Sequence, residues 1–461
     1  MSKEILDQPS SEYVSMKGNK KMQRAWTMYD WANSTYNLVI GTAIFPIFYT
    51  AVTTKHQFEG KIAEDDVLFF GHVFKNTEVL SYALALGMAI VCILAPMLSG
   101  LADYMGRKKF FMQIFCYLGA LSCMSLFFFD MNRYEASMLS VVFACIGFWV
   151  SYAFSNSFLP ELAEPADQDK LSARGYSMGY IGSVILLILN LIMIQVLEIP
   201  DAVKWAFITV GVWWAGFAQI TFRTLREKHT GKGFSKGVLS NGFKELRHVW
   251  QEMNQTRRLR RYLIAFFIFS MGVQTIMQMA SLFGTKEVWQ MDSETGQMIR
   301  GLKTGQLIMA VLMVQVIAIP GAFFFSFLSK KLGNLLTLKL ALVVWACICI
   351  FAYAVVNTPI TFYIAAASIG FVMGGTQSLA RSTYSKFLPE TNDHASYFSF
   401  YDVTEKVGLI FGLLSFGFLE GFGGSMRVSI LALITFFILG YLAVLIVPKK
   451  EVEVKGKTFP V

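Results

Sequence analysis

Charge is what this sequence has little of. Only 15% of its 461 residues are Asp, Glu, Lys or Arg, against roughly a quarter in an ordinary soluble domain. Histidine is scarcer still: His56, His72, His229, His248 and His394 are dispersed, with no metal-ligand spacing. No metal or cofactor is therefore expected. All six cysteines fall inside apolar runs, so no loop carries a disulfide framework. TGKG at 230–233 lacks the full phosphate-loop pattern, and no His–Asp pair suited to acyl transfer is present. These absences argue against an enzyme. The N-terminal stretch before the first apolar run is polar throughout, so no cleavable leader is expected there.

What the chain has instead is apolar length. Hydrophobic residues make up 55% of it, and the mean hydropathy is +0.50. They come in blocks near the length a helix needs to cross a bilayer, about 20 residues. Twelve such blocks can be drawn, at 24–50, 79–99, 110–129, 136–158, 176–197, 203–222, 262–283, 305–328, 335–355, 359–380, 396–419 and 427–447. The expected class is an all-α polytopic membrane protein with twelve transmembrane helices. With the N-terminus in the cytoplasm, 29 of the 40 Lys and Arg lie in cytoplasmic segments and 9 in outer ones. This is the positive-inside pattern, with both termini cytoplasmic. The net charge of +9 thus sets orientation and implies no nucleic-acid partner. No N-x-S/T sequon falls in an outer loop, and a bacterial inner membrane is the expected location.

The chain divides into a tail (1–23), a six-span half (24–222), a basic linker (223–261), a second six-span half (262–447) and a tail (448–461). Within the linker, KELRHVWQEM has helical spacing and is compatible with a membrane surface, but the plainer reading is a solvated linker between the two six-helix bundles. The halves echo one another. FLPE occurs at 158–161 and again at 387–390, and the glycines of GLADYMGRKK and LSKKLGN, Gly106 and Gly333, stand at nearly the same offset. Two six-helix repeats related by an axis along the membrane normal are a known transporter plan.

The loop between spans 2 and 3, SGLADYMGRKKFF at 99–111, resembles the signature loop of the major facilitator superfamily. Its candidate gate residues are Gly100, Asp103, Gly106, Arg107 and Lys108. Gly106 permits a tight turn, and Asp103 suits the N-terminus of a neighbouring helix. In that superfamily the loop latches the two bundles. AWTMYDWANSTYN at 25–37, NSFLPELAEPADQDKLSARGYSMGYIG at 156–182, and GGTQSLARSTYSKFLPE with SYFSFYDVTEKVG over 374–408 resemble the vacuole-effluxer branch and its bacterial relatives. The resemblance implies secondary transport, with amino acids exported by the fungal members. Span 4 lacks the arginine that many proton antiporters of the superfamily carry.

The polar residues inside spans are the candidate solute path. Trp26, Asp30, Asn33, Ser34, Asn37 and Gly41 share a face of span 1. Ser270, Gln274, Gln278 and Ser281 share one in span 7, and Gly370, Gly374, Gln377 and Arg381 one in span 10. Span 11 adds Asp402, Glu405 and Lys406. An intramembrane ionisable residue normally faces the bundle interior. Each has an alternative role: Asp30 as a structural anchor or gate, Asp402 and Lys406 as a mutual i,i+4 pair, Arg381 snorkelling to the interface, and the amides as interhelical glue. The candidates for coupling protons or charge are Asp30, Asp402, Glu405 and Lys406. The expected activity is secondary transport of a small polar solute, amino acids foremost, by alternating access with protons as the candidate coupling ion. The alternatives are a transporter-derived receptor without net transport and an integral-membrane transferase.

Overall fold

The computed structural model describes residues 16–58, 61, 63–196, 201–227, 238–292, 296–423 and 426–450. Most of the N-terminal tail, the stretch 228–237 of the linker with its TGKG, and most of the C-terminal tail lie outside the described residues. Twelve long helices account for most of the rest. The first half holds α1 (Lys20–Lys55), α2 (Asn76–Met105), α3 (Lys108–Phe128), α4 (Tyr134–Asn156), α5 (Pro165–Val196) and α6 (Ala202–Thr224). The second holds α7 (Arg257–Glu287), α8 (Thr304–Leu332), α9 (Asn334–Ala354), α10 (Pro359–Phe387), α11 (His394–Gly423) and α12 (Met426–Leu445). All but α11 are long and apolar enough to cross a membrane. That helix has the length, at 30 residues, but carries Asp402, Glu405 and Lys406 in its middle.

Each half builds its own core. One buried apolar cluster runs from Met16 to Leu225, with Ala395 of the second half joined to it, and includes Trp26, Tyr36 and Trp214. The other runs from Val249 to Val447, with Tyr180 of the first half joined to it, and includes Phe266, Trp345 and Phe437. The result is two six-helix bundles. They meet where α5 packs against α8 and α10, and where α11 packs against α2 and α4.

The internal repeat reaches further than the paired motifs. The equivalent helices α2 and α8 each carry an interior proline, Pro96 and Pro320, and each ends at a glycine with positive φ, Gly106 or Gly333. At their starts, the side chain three residues on accepts the N-cap amide: Glu78 from Lys75 at 3.1 Å and Gln306 from Lys303 at 2.8 Å. Each is preceded by a two-stranded hairpin, β1–β2 (Asp66–Phe69 with His72–Lys75) and β3–β4 (Trp289–Met291 with Met298–Arg300). These hairpins are small additions to a nearly all-helical fold, which is otherwise the class expected. Phe70 and Gly71, both at positive φ, make the two-residue turn of the first. Strands this short, outside the apolar blocks, leave no trace in hydropathy.

Close packing follows the glycines. A Cβ at Gly370 or Gly374 would meet a carbonyl of α8 at 2.4 or 2.1 Å, so α8 and α10 cross nearly backbone to backbone. Gly175, Gly179 and Gly182 likewise bring α5 against Asp30, Ser34 and Trp31 of α1.

The linker helix, Val238–Gln255, is neither a free solvated linker nor a segment standing apart from the bundles. It docks on the protein, with Val249 and Met253 buried in the second core and Gly242 against Gly100 of α2, where a Cβ would lie 2.4 Å from the Gly242 carbonyl. Part of its apolar face is thus covered by protein, while Phe243 and Trp250 stay half-exposed.

Candidate functional site

A polar cavity of about 110 Å³ lies between the bundles. The first bundle lines it with Asp30, Ser34, Asn37 and Leu38 of α1, Met88 of α2, Phe148, Trp149 and Tyr152 of α4, and Tyr176, Tyr180 and Ser183 of α5. The second contributes Gln274, Met277 and Gln278 of α7, Gln315 of α8, Met373 and Gln377 of α10, and Glu405, Lys406 and Leu409 of α11. One wall is aromatic and the other is rich in amides. From Tyr36 to Ala43 α1 widens into a π-helix, and both Asn37 and Leu38 reach the cavity from its start.

Seven of the path and coupling residues expected from sequence meet here: Asp30, Asn37, Gln274, Gln278, Gln377, Glu405 and Lys406. Three do not. Asn33 is fully buried but lies outside the lining, and Arg381 and Asp402 are buried beyond it. The span 7 stripe divides too, because Ser270 packs against Gly408 and Ser281 lines a separate apolar pocket within the second bundle. Sequence reasoning missed Gln315 and the aromatic wall. The i,i+4 pairs Phe148/Tyr152 and Tyr176/Tyr180 were its only signal, and they look the same as lipid-facing aromatics.

Arg381 corrects the snorkelling alternative, since it is 0% exposed and reaches no interface. It crosses to the other bundle instead. Its Nε donates to Ser172 Oγ (3.0 Å), Nη2 to the Ser172 carbonyl (3.0 Å) and Nη1 to Asn156 Oδ1 (2.9 Å). Asp30 Oδ2 stands 3.6 Å from Nη1, and the guanidinium lies over the rings of Trp26 and Tyr176. Trp26, Asp30 and Arg381 thus form one buried cluster at the cavity floor. Tyr180 closes another crossing by donating to Gln377 Oε1 at 2.8 Å.

Lys406 is 3% exposed, with its ammonium 3.7 Å from the ring centre of Trp149. Its nearer carboxylate is Glu405, at 3.1 Å, which also accepts from Gln274 at 2.7 Å. Asp402 lies 4.0 Å away, so the expected i,i+4 pair is the looser of the two.

Past the floor, on the face that carries the 2–3 loop, the bundles are tied again. Asp103 accepts the amides of Ala395 (3.2 Å) and Ser396 (2.7 Å) in the first turn of α11. An anion is favoured there by unpaired N–H groups and the helix dipole. Gly106 turns the chain at φ +64, and Arg107 stands half-buried beside it at the start of α3. Lys108 pairs with Glu161, which in turn contacts His394 of the second bundle at 3.0 Å. Asp169 of α5 holds Lys386 (2.6 Å), Ser329 (2.7 Å) and Asn334 (2.8 Å). Gly100 seats the linker helix, whose Glu252 accepts from Tyr397 of α11 at 2.9 Å.

The family model described as "Vacuole effluxer Atg22 like" matches residues 18–456. The chain belongs to this family. Its relatives include the uncharacterized MFS-type transporter YxiO of Bacillus subtilis, 28% identical over 443 residues that cover 94% of this chain and 96% of that one. Autophagy-related protein 22 of Eremothecium gossypii is 25% identical, over 80% of this chain and 78% of its own. Among solved structures, the MFS transporter FucP in its outward conformation is similar with a TM-score of 0.66 at 12% identity, covering 93% of this chain and 98% of that one. The proton:xylose symporter XylE gives 0.67, also at 12%, over 94% and 96%. This vacuole-effluxer family member therefore has the major facilitator fold and is a transporter of that superfamily.

Proposed function

We propose that this protein moves amino acids, or small polar solutes of the same kind, out of the cell by alternating access, with protons as the coupling ion. The two bundles, 24–222 and 262–447, are the moving parts, and the 2–3 loop marks the cytoplasmic face of a bacterial inner membrane. The observation that carries the reading is the cavity between the bundles. It offers a carboxylate for an ammonium (Glu405), a nearby ammonium that balances it (Lys406), and amides for polar substituents (Asn37, Gln278, Gln315). The ties through Arg381, Asp103 and Asp169 all lie on its loop side, which suits a state closed to the cytoplasm. The location and the cytoplasmic termini rest on the positive-inside pattern and on the similarity to YxiO.

The test is transport by purified protein in liposomes. Vesicles with an acidic interior should accumulate a labelled amino-acid mixture, and collapsing the pH gradient should abolish the accumulation. No uptake under either condition, from protein that remains folded, would exclude amino acids as the solute.

A further inference from the structure

Around the cavity floor and the adjoining turn of α11, five charged side chains sit buried or nearly so: Asp30, Arg381, Asp402, Glu405 and Lys406. Asp30 and Arg381 neutralise one another. That leaves two carboxylates and one ammonium within about one turn of α11, and a formal charge of −1 between the cavity and the protein interior. Uncompensated charge in such a place is very costly. One bound proton balances the count.

The geometry indicates which carboxyl holds it. Glu405 is furnished as an anion, since Oε1 accepts from Gln274 and Oε2 pairs with Lys406. Asp402 is 2% exposed, neither of its oxygens accepts a hydrogen bond, and Lys406 stands back at 4.0 Å. Its surroundings supply no free cation. Arg381 and Tyr384 face it from α10, but Arg381 is committed to Ser172, Asn156 and Asp30. From α4 it is faced by the Asn156 amide, which favours the anion but stands outside full hydrogen-bonding geometry, while Cys92 of α2 and Cys145 and Trp149 of α4 lie around Lys406.

We propose that Asp402 is the proton-carrying carboxyl of this transporter, and that Lys406 switches partner with it, resting on Glu405 while Asp402 is protonated and moving to Asp402 when the proton leaves. This rests on the proton-coupled reading above and assigns its site. On loading, a hydronium ion gives its proton to an Asp402 oxygen, leaving water and a neutral carboxyl. On unloading, that O–H bond breaks, water takes the proton, and the ammonium moves from Glu405 to Asp402. Glu405, which lines the cavity, is then free to receive the ammonium of a solute. Proton and solute compete for one site through Lys406, and the result is exchange of one for the other. Asp30, locked to Arg381, is a structural tie between the bundles and not the carrier.

The test begins without solute. Infrared difference spectra of the full chain in lipid, titrated with pH, should show the C=O stretch of a protonated carboxyl. The charge-conserving exchanges decide the assignment. Asp402→Glu should displace the band and Glu405→Asp should leave it, while the reverse pattern would give the proton to Glu405 and overturn the proposal. A wild type with no titrating carboxyl band would overturn it as well. In the transport arm, Asp402→Asn should lose accumulation driven by an acidic vesicle interior, and its retention would show that Asp402 does not carry the coupled proton. If wild type moves no labelled amino acid while the band follows Asp402, the proton site stands and only the amino-acid reading falls.

Discussion

At the scale of single residues, the buried pair Asp30–Arg381 defines what the floor of the cavity tolerates. Removing one partner leaves a naked charge in a dry site, so Arg381→Ala is expected to cost on the order of 3–5 kcal/mol. Adding Asp30→Asn should recover part of that loss, since neighbouring residues couple strongly. Thermal unfolding of the purified single and double variants measures the coupling. Gly175 tests the same contact sterically. A Cβ there would fall 2.3 Å from Asp30 Oδ2 and 2.9 Å from Arg381 Nη2, so Gly175→Ala should destabilise by about 1–3 kcal/mol, as overpacking does. At this scale the sequence was half legible. The polar stripe of α1 announced Asp30 because periodicity is local. Arg381 looked like an interfacial residue because its partners Ser172, Asn156 and Asp30 belong to the other bundle, which no single helix discloses.

At the scale of elements, the best-read feature was the Asp103 loop. An acid next to a tight glycine turn suits a helix N-terminus, and here it caps α11. Loss of such a cap costs about 0.5–2 kcal/mol. Asp103→Ala should therefore loosen the loop face, seen as faster thiol labelling of a cysteine introduced at Ser396. The linker helix was read less well. Its amphipathic spacing was plain, but nothing in the sequence distinguishes a lipid surface from the flank of α2 and α11. Its docking is expected to respond to pH. Burial, and then the neighbouring Asp393, push the Glu245 carboxyl above its usual range, with Glu252 adding to the rise and His248 opposing it. A raised carboxyl binds its proton more tightly in the docked state, so docking strengthens as pH falls through that raised value and weakens as pH rises above it. Protection factors across 242–255, corrected for the intrinsic pH dependence of amide exchange, should rise on mild acidification, and Glu245→Gln should remove that rise.

At the scale of the whole molecule, hydropathy was enough for the spans, since their length follows from bilayer thickness. The aromatic wall was not legible, because Phe148, Trp149 and Tyr176 look like any membrane aromatics until two bundles enclose them. Alternating access gives a direct test. Ser172 Oγ donates to the Ser378 carbonyl at 2.7 Å across the bundles. With the native cysteines replaced, Ser172→Cys with Ser378→Cys should form a disulfide that stops transport and is relieved by reductant. Unchanged transport in the cross-linked protein would mean that the bundles do not separate at this face.

The two walls of the cavity differ in kind. Amides hold a guest by directed hydrogen bonds at fixed angles, whereas aromatic faces accept it in many positions at similar energy. In the proposed rocking motion, a guest held by Gln278 and Gln315 would travel with the second bundle while the rings of the first slide past it. On that proposal grip belongs chiefly to the second half of the chain, with Asn37 the one amide across from it, and glide to the first. Changes in the amides should appear as altered affinity, and changes in the rings as altered turnover.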